Sequence, residues 1–492
     1  MQLYNTLSRR KEAFKPLTPG KVGFYACGVT VYDDCHLGHA RSGVVFEVLV
    51  RYLRRQGLTV NWVRNFTDID DKIIRRAQET GTSWQEVAER HIASFRQDSA
   101  ALGLPPAPCE PRATDHLPQI VALIRRLEER GFAYRGAADV YFRVRSFPGY
   151  GKLSGQNPDD MRVGARIEVD PHKEDPLDFV LWKSSKPGEP AWPSPWGMGR
   201  PGWHIECSAM SMHYLGETFD LHGGGQDLIF PHHENELAQA EAATGQPLAR
   251  YWLHHGLLTL NQEKMSKSLG NFFTIKEVLA RFPAEVVRFF LINGHYRSPL
   301  DFSDAALAEA EAALLRLYSC LAKVQDILRH PPQILFPSTT VSSCLERLND
   351  EEHNRISKVE AQFEAAMADD LNTAQALGYL FDAVRLTNRL LEQPSGDPPY
   401  RQFISVIYQK LVDLGRVLNL LQDDPAEMVR TLRQKAVDLK IAPEEIERLI
   451  DERILARNRR DWAQADAIRK TLAEMEIVLE DTPEGTVWRV KS

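Results

Sequence analysis

Residues 22–63 read VGFYACGVTVYDDCHLGHARSGVVFEVLVRYLRRQGLTVNWV, and the order of the patterns in this stretch predicts the fold. Residues 22–26 form a short apolar run, which is typical of a buried strand, and a turn-rich segment follows it. Apolar residues recur at helical spacing over residues 44–53, and Gly57 ends that helix. Residues 59–63 have the composition of a second buried strand. A strand, a helix and a second strand in this order predict a parallel α/β sheet.

The rest of the chain divides into further predicted segments. At 492 residues it is too long for one core, and about three domains are expected. Residues 186–202 are rich in Pro, Gly and Trp, which favours a long ordered loop. After Pro425 two helical patterns precede strand-like residues 478–479 and 487–490. The predicted segments are a first α/β half (1–115), an inserted subdomain (116–200), a second α/β half (201–260), a connecting subdomain (261–304), a helical bundle (305–424) and a small mixed α/β domain (425–492).

The composition is that of an ordinary globular protein. The hydrophobic share is 43% and the charged share 26%, so neither disorder nor a membrane protein is indicated. No apolar run approaches the length needed to cross a bilayer, and residues 1–17 lack the apolar core of a signal peptide. A cytoplasmic location without a membrane partner is therefore expected.

Net charge and cysteine content say little about partners. A net charge of -7 gives no sign of a nucleic-acid surface. The arginine group Arg453, Arg457, Arg459 and Arg460 could face phosphates, but on spacing alone a solvated helix face is expected. Six cysteines without the spacing of a small scaffold argue against a disulfide framework. The cysteines expected to be ordinary packed or surface thiols are Cys35, Cys109, Cys320 and Cys344.

The segment His36-Leu37-Gly38-His39 lies where the loop after the first strand enters the helix. Helix N-termini attract phosphate, because their free N–H groups and their dipole point at it. Gly38 would allow a phosphate or a base to approach the backbone, and the two histidines can donate to phosphate oxygens. Alone this pattern is a weak signal, because a histidine pair near a helix start is more often structural.

A second motif, Lys264-Met265-Ser266-Lys267-Ser268, precedes Gly270 in a loop-like segment. Two lysines with a hydroxyl between them suit a group that holds a triphosphate and stabilises the charge that develops as pyrophosphate leaves. By chance, this string of five residues would occur on the order of once in ten thousand chains of this length.

Together the two motifs resemble the HIGH and KMSKS signatures of class I aminoacyl-tRNA synthetases. The resemblance implies a Rossmann-like catalytic domain that binds ATP through His36, Gly38, His39 and residues 264–268. It also implies that His36, His39, Lys264 and Lys267 stabilise the transition state of aminoacyl-adenylate formation. Leu37 in place of isoleucine conserves the size of the side chain.

Four further segments resemble cysteinyl-tRNA synthetases. They are CGVTVYD (27–33), TDIDDK (67–72), GWHIECSAM (202–210) and the stretch 223–236. In that family zinc is bound at the positions that match Cys27, Cys207, His232 and Glu236. The resemblance therefore implies one Zn²⁺ per subunit, which would select the amino acid by its thiol.

The spacing supports only part of this metal set. His232 and Glu236 are four residues apart, so on a helix they share a face and can meet one ion. His233 in place of His232 is not excluded, and Cys27 and Cys207 would have to converge on them from the ends of the sheet. Two thiolates, an imidazole and a carboxylate fit the ligand preferences of zinc.

The same resemblance suggests roles for further residues. Trp203 matches an aromatic wall beside the zinc, Asp227 the carboxylate that receives the substrate ammonium, and Thr67 a part of the amino-acid pocket. His204, His222 and His233 could add to a histidine-rich pocket floor. Family contacts with the anticodon fall on Arg457, Trp462 and Asp481, whose side chains can stack on unpaired bases or read their edges.

The resemblance implies the activity of a cysteine–tRNA ligase. Its partners would be L-cysteine, ATP with Mg²⁺, and tRNA(Cys), and a monomer is expected. The alternative is a cysteine ligase that passes cysteine to a small aminosugar acceptor, as relatives do in thiol cofactor synthesis. The complete C-terminal tail argues against this alternative, because a small acceptor has no anticodon. A zinc hydrolase is disfavoured because no HExxH is present and the KMSKS motif would have no role.

Overall fold

The computed structural model describes residues 1–160, 171–260, 263–264, 272–330, 350–392, 398–434, 443–459, 461–474, 477–482 and 485–490. The chain forms two compact units. The first comprises Met1–Leu307 and Phe363–Leu377, and the second comprises Ala308–Gln362 and Gly378–Ser492.

The secondary structure of the described residues alternates between strands and helices up to Phe302 and is then mainly helical. The strands are β1 (Gln2–Asn5), β2 (Arg10–Ala13), β3 (Lys21–Thr30), β4 (Thr59–Thr67), β5 (Ala133–Gly136), β6 (Asp139–Phe142), β7 (Phe179–Ser184), β8 (Trp192–Ser194), β9 (Gly197–Pro201), β10 (Phe219–Gly225), β11 (Ala249–His255), β12 (Leu258–Leu260), β13 (Glu263–Lys264), β14 (Leu300–Phe302), β15 (Ile477–Thr482) and β16 (Gly485–Val490). The helices are α1 (Leu37–Arg55), α2 (Asp71–Thr80), α3 (Trp84–Ala101), α4 (Leu117–Glu129), α5 (Trp203–Leu215), α6 (Glu234–Thr244), α7 (Ile275–Leu279), α8 (Ala284–Ile292), α9 (Asp304–Arg329), α10 (Asp350–Ala368), α11 (Thr373–Leu391), α12 (Pro398–Leu418), α13 (Pro425–Gln434), α14 (Pro443–Asn458) and α15 (Trp462–Glu474).

The first unit is built on a four-stranded parallel sheet with the order β11-β10-β3-β4. Every residue of β10 is buried, as in strands covered on both faces, although its sequence FDLHGGG includes the polar residues Asp220 and His222. Helix α1 connects β3 to β4, so the predicted strand, helix and strand are confirmed. Gly57, with φ of +80°, follows this helix in a conformation that side chains rarely adopt.

The chain leaves this sheet after β4 and forms a second sheet before it returns. That sheet is antiparallel, with the order β5-β6-β7-β9-β8. The prediction of a long loop over residues 186–202 is wrong, because β8 and β9 form a hairpin in which Trp192 pairs with Gly199. Pro193 lies in the edge strand β8, where a missing N–H is tolerated, so its presence did not exclude a strand.

A small sheet, β13-β12-β14, follows the parallel sheet in the chain and completes the first unit with α7 and α8. In the second unit α9, α11 and α12 bury apolar residues at helical spacing, as the sequence predicts for a bundle. After Pro425 the prediction of two helices is wrong, because the part of this region that the structure describes contains three: α13, α14 and α15. Helices α14 and α15 and strand β15 share an apolar core that includes Ile450, Leu472 and Ile477.

No helix among the described residues is long and apolar enough to span a membrane. None of the described cysteines forms a disulfide. Cys35 and Cys320 are buried and Cys109 is half-buried, as expected of ordinary thiols. Cys344 lies outside the described residues.

Candidate active site

Cys27 lies within β3, which continues to Thr30, so this cysteine does not lie at the end of its strand as the expected approach from the sheet ends requires. The register between β3 and β4 shifts between Ala26 and Val29. This irregularity depends on Gly28, because a Cβ there would lie 1.6 Å from the Asn65 carbonyl oxygen. The Gly28 N–H donates to Asn65 Oδ1 at 2.8 Å, which fixes the backbone beside the cysteine.

Cys207 reaches the same place from a helix. It lies in the second turn of α5, so the prediction that both cysteines approach from sheet ends is wrong for this residue. Helix α5 packs against β3 and β4 and buries Cys207 and its neighbours on almost all sides. Such all-round burial removes the helical periodicity that would have revealed the element in the sequence.

His232 and Glu236 come from the junction before and within α6. His232 lies in a short irregular turn, Ile229–His233, and Glu236 lies in the first turn of the helix. His232 Nε2 is 2.9 Å from Glu236 Oε1, so the pair converges as the four-residue spacing predicts. Cys27 Sγ is 3.2 Å from the same carboxylate oxygen.

These four residues, here called the Cys/His/Glu cluster, meet in the interior. One ligand atom from each of Cys27, Cys207, His232 and Glu236 lies within 4.8 Å of the others, and all four residues are buried. A second set with the same property contains Cys27, His222, His233 and Glu236. Among the described residues, the set that contains both cysteines contains His232, whereas His233 belongs to the set in which His222 replaces Cys207.

The charges inside the cluster compensate one another. Burial alone would raise the pKa of Glu236, but His222 and His232 hold it well below its usual range. The hydrogen bond from Cys27 lowers the pKa of Cys207 to about 6 against the opposing effect of burial. A carboxylate, a readily formed thiolate, a second thiol and an imidazole in one buried group match the donors that zinc prefers.

Histidines surround the Cys/His/Glu cluster. His222 Nε2 is 2.9 Å from Glu236 Oε2, and His204 Nδ1 is 2.9 Å from His232 Nδ1. His233 Nδ1 is 2.7 Å from Nε2 of His254, a residue that the sequence reasoning missed. Its signal was the position of His254 near the carboxyl end of β11, on the sheet edge where parallel strands commonly place binding groups.

Of the other predicted amino-acid contacts, the structure places Trp203 directly beside this cluster. The Trp203 ring is 4.2 Å from the His232 ring between centroids, and 38% of the residue is exposed, so it forms an open wall beside the histidine. Thr67 is buried at the end of β4. Asp227 lies in the turn directly after β10, where its carboxylate would be 2.4 Å from any Cβ at Gly225. Glycine at position 225 therefore makes room for this carboxylate.

The HLGH turn, residues 36–39, begins α1. His36 is the N-cap residue, and its Nδ1 accepts the Gly38 N–H at 3.0 Å. His39 Nδ1 accepts the His36 N–H at 3.2 Å, and the two rings stack with centroids 3.9 Å apart. Because each Nδ1 is an acceptor, each neutral ring carries its proton on Nε2 and can donate there to an anion.

The segment that follows the second motif is hydrogen bonded to this turn. The Leu37 N–H donates to the Phe273 carbonyl at 3.1 Å, and the Ile275 N–H donates to the Cys35 carbonyl at 3.0 Å. Lys264 is part of the short strand β13. The other residues of that motif, Met265, Ser266, Lys267 and Ser268, lie outside the described residues.

Arg41 is a second residue of this region that sequence reasoning missed. Its guanidinium is buried and donates to the carbonyls of Leu257 at 2.8 Å, Tyr296 at 3.2 Å and Ser298 at 2.5 Å. No spacing pattern links residue 41 to residues 257–298, so the sequence carried no signal for these bonds.

The three predicted anticodon residues all lie in the second unit. Arg457 is in the last turn of α14, Trp462 begins α15, and Asp481 is in β15. Trp462 is 58% exposed, which is unusual for tryptophan and leaves its ring accessible for stacking.

Comparison with known proteins identifies the family. Residues 13–312 match the catalytic domain of class I (C) tRNA synthetases, residues 362–422 a DALR domain, and residues 442–489 the anticodon-binding domain of cysteinyl-tRNA ligases. The chain is 53% identical to the cysteine–tRNA ligase of Geobacter metallireducens and 51% identical to that of Pelobacter propionicus, in each case over the whole length of both chains.

The fold is shared with more distant synthetases. Methionyl-tRNA synthetase from Mycobacterium tuberculosis, solved with methionyl-adenylate, superposes with a TM-score of 0.60 at 16% identity, over 84% of this chain and 96% of that one. This similarity confirms the Rossmann-like class I fold. With full-length relatives near half identity and three family domains matched in order, this chain belongs to the cysteine–tRNA ligase family of class I aminoacyl-tRNA synthetases.

Proposed function

We propose that the protein activates L-cysteine with ATP and transfers the cysteinyl group to the 3' end of tRNA(Cys). The observation that carries the proposal is the buried Cys/His/Glu cluster, to which strand β3 contributes Cys27. The helix that follows β3 in the chain, α1, begins with the HLGH turn. One end of such a site recognises a thiol and the other recognises phosphates. Relatives that are about half identical over their whole length carry the same activity in their names.

In the first step a carboxylate oxygen of cysteine attacks the α-phosphorus of ATP. The new P–O bond gives cysteinyl-adenylate, and the bond to the β-phosphate oxygen breaks, so that pyrophosphate leaves with Mg²⁺. No side chain has to remove a proton, so positioning and charge stabilisation carry the catalysis. The Nε2–H donors of His36 and His39 suit this role, together with the proposed phosphate contacts of Gly38, Lys264, Met265, Ser266, Lys267 and Ser268.

The cysteine side is proposed to hold one Zn²⁺ through Cys27, Cys207, His232 and Glu236. The donor set fits, because its residues are buried, their ligand atoms lie within 4.8 Å of one another, and Cys207 readily forms a thiolate. A zinc ion bound there would accept the substrate sulfur as thiolate, whereas the far less acidic hydroxyl of serine is a poorer ligand.

The remaining amino-acid contacts follow from the same arrangement. Asp227 would receive the substrate ammonium, and Trp203 and Thr67 would bound the pocket. Cysteine and serine have nearly the same shape, so a pocket that read size alone would separate them poorly. The thiol-reading group therefore accounts for selection without a separate editing site.

In the second step the hydroxyl of the terminal ribose of the tRNA attacks the carbonyl carbon of the adenylate, and AMP leaves. We propose that Arg457, Trp462 and Asp481 contact the anticodon. The exposed Trp462 ring supports this assignment. The domain boundaries, the monomeric state and the cytoplasmic location stay predictions.

Pyrophosphate exchange with cysteine or serine, with and without a zinc chelator, tests the proposal. We expect exchange with cysteine alone, and loss of that preference when the metal is removed. Charging of a transcript with a GCA anticodon then separates a tRNA ligase from a ligase for a small aminosugar. Exchange without charging would support that alternative, and absence of exchange would contradict both.

A further inference from the structure

The turn between α10 and α11 holds a buried carboxylate that the proposed chemistry does not use. Asp370 is fully buried, and its φ is +62°, a conformation that aspartate tolerates better than most residues. Its N–H donates to the Gln2 carbonyl at 3.0 Å. Nearby, the Thr373 hydroxyl donates to the Ile292 carbonyl at 2.7 Å, so the turn is fixed to the N-terminal strand and to the end of α8.

The Asp370 carboxylate binds three donors from two segments. Oδ1 accepts the Tyr4 N–H and the Tyr296 hydroxyl, each at 2.8 Å, and Oδ2 accepts Arg297 Nε at 2.8 Å. The Arg297 guanidinium also lies over the Tyr4 ring at 4.3 Å. One buried side chain therefore fixes residues 296 and 297 by their side chains, and hydrogen bonds to a carboxylate are among the stronger ones.

The backbone carbonyls of the loop of residues 295–298 form hydrogen bonds with parts of the proposed active site. The Tyr296 and Ser298 carbonyls bind the Arg41 guanidinium, two residues beyond His39. The Tyr296 carbonyl also accepts the Gly256 N–H at 2.8 Å, just before β12.

Between these two residues, the Arg297 carbonyl accepts Gln226 Nε2 at 3.1 Å. Gln226 precedes Asp227, the proposed ammonium receptor, in the same short turn. Three consecutive carbonyls thus bind the helix of the HLGH turn, the strand that leads to the second motif, and the turn of the amino-acid pocket.

We infer that Asp370 is a positioning residue for adenylate formation, because it fixes the loop of residues 295–298 whose carbonyls align those three parts of the site. The inference rests on the proposed function for its kinetic consequence. Because the aligned parts must be in place together only in the transition state, loss of Asp370 slows the chemical step and leaves ground-state binding of cysteine and ATP almost unchanged.

Variants of the carboxylate separate positioning from folding. Asp370→Ala removes all three bonds, whereas Asp370→Asn tolerates the backbone conformation and keeps an acceptor for Tyr4 and Tyr296 but loses the Arg297 contact. Tyr296→Phe removes one donor and keeps its carbonyl. Asp369→Asn is the matched control, because Asp369 is half exposed and its side chain pairs with Lys11 at the surface.

The decisive measurement is the single-turnover rate of cysteinyl-adenylate formation, which does not depend on the fraction of active enzyme. We expect Asp370→Ala to lower this rate by about tenfold to a hundredfold, with KM values for cysteine and ATP within about twofold of the original. Asp370→Asn should recover part of the rate, Tyr296→Phe should lose less than Asp370→Ala, and Asp369→Asn should match the unchanged protein. A normal rate in folded Asp370→Ala would overturn the inference.

Hydrogen exchange gives a readout that needs no activity. If the loop aligns the site, the Gly256 amide should lose protection in Asp370→Ala and keep it in Asp369→Asn. Unchanged protection at Gly256 would overturn the inference even where the rate falls. If the unsubstituted protein forms no cysteinyl-adenylate, the proposed function is wrong. Protection of the Gly256 amide in Asp370→Ala then still shows whether Asp370 fixes the loop.

Discussion

The Cys/His/Glu cluster and the HLGH turn serve two ends of one proposed reaction, yet they are built in opposite ways. The cluster is formed by side chains from β3, α5 and α6 that meet in the interior, and its members are all buried. The HLGH turn is a local structure in which the histidines bond to their own backbone and are only partly buried.

The difference follows from what each region has to recognise. A thiol differs from a hydroxyl in chemistry and hardly in shape. A site that distinguishes them therefore needs soft ligands, such as thiolates, that are buried away from water. Phosphates carry full charges and bind well to N–H donors such as the Nε2–H groups of His36 and His39. Activity should therefore depend on the identity of each side chain in the Cys/His/Glu cluster. At the HLGH turn, activity should depend also on the contacts that fix the backbone.

Substitution of a cluster thiol should give the largest effect. Cys207→Ser should lose zinc and lower cysteine-dependent pyrophosphate exchange by on the order of a thousandfold, because the hydroxyl is a poor metal ligand. Metal content by mass spectrometry and exchange assays check this together. Cys109→Ser, at a half-buried thiol outside the cluster, is the control and should change neither. Retention of zinc by Cys207→Ser would contradict the proposed ligand set.

The two alternative metal sets can be separated by the same measurement. If Cys207 and His232 are ligands, His232→Ala should release zinc. His222→Ala should then retain zinc with an affinity lowered by about tenfold to a hundredfold, because His222 contacts the ligand Glu236 without binding the metal itself. The reverse order of zinc loss would favour the set with His222 and His233.

Removal of an HLGH histidine should give a smaller loss with a different signature. His39→Ala removes a proposed donor to ATP, so we expect kcat for exchange to fall by about a hundredfold. Zinc content and the KM for cysteine should not change, because no ligand of the cluster is involved. If His39→Ala also lost zinc, the two regions would not be independent, and the contrast between them would fail.

The contact that holds the backbone near the HLGH turn should matter less. Lys276 Nζ lies 3.3 Å from Asp34 Oδ2 and donates to the Ser94 hydroxyl at 2.7 Å. Lys276→Met removes these contacts but leaves the backbone bonds of Leu37 and Ile275. Because a partly exposed ion pair contributes about 0.2–1 kcal/mol, the rate of adenylate formation should fall by no more than about fivefold.

Lys11→Met is the matched control for that variant. Lys11 also forms a surface ion pair, with Asp369 at 2.7 Å, and belongs to strand β2. Its adenylate rate should equal that of the unchanged protein. Equal losses in both variants would show that removal of any surface lysine charge slows the reaction.

The two regions also differ in how far the sequence predicted them. The start of α1 and the pairing of His232 with Glu236 follow local rules of capping and helical spacing, and both were predicted. The approach of Cys207 from α5 was predicted wrongly, because a helix buried on all sides shows no apolar stripe. Arg41 was missed, since its partners lie far away in the chain, whereas His254 was missed although it lies near the carboxyl end of β11.

A similar limit applies to the fold. The parallel sheet was predicted because β3, α1 and β4 alternate in the chain and each shows its own period. The β8–β9 hairpin was missed because Pro193 and the nearby glycines favour a loop by composition. Edge strands tolerate such residues, but edge position is a property of the sheet that no local window contains.

The smallest expected effect concerns Asp98, a buried carboxylate without the neighbouring histidines that offset burial at Glu236. Asp98, in α3 near Lys276, is buried, and its Oδ2 has no hydrogen-bond partner among the described residues. Burial raises the pKa of Asp98 to about 6, with Lys276 lowering it and Asp34 raising it. The folded state therefore disfavours the ionised form, and this penalty is complete above pH 6 and vanishes below the unfolded pKa of about 3.9.

Asp98→Asn should thus raise the melting temperature at pH 8 by a few degrees and leave it almost unchanged at pH 4. Asp71→Asn is a control of opposite sign. Burial would raise the pKa of Asp71, but Arg200 and Lys183 outweigh it and lower this pKa, so its charge stabilises the fold above the unfolded pKa. That variant should melt earlier at pH 8. An equal stabilisation of Asp98→Asn at both pH values would mean that shape, and not an uncompensated charge, distinguishes Asp98 from Glu236.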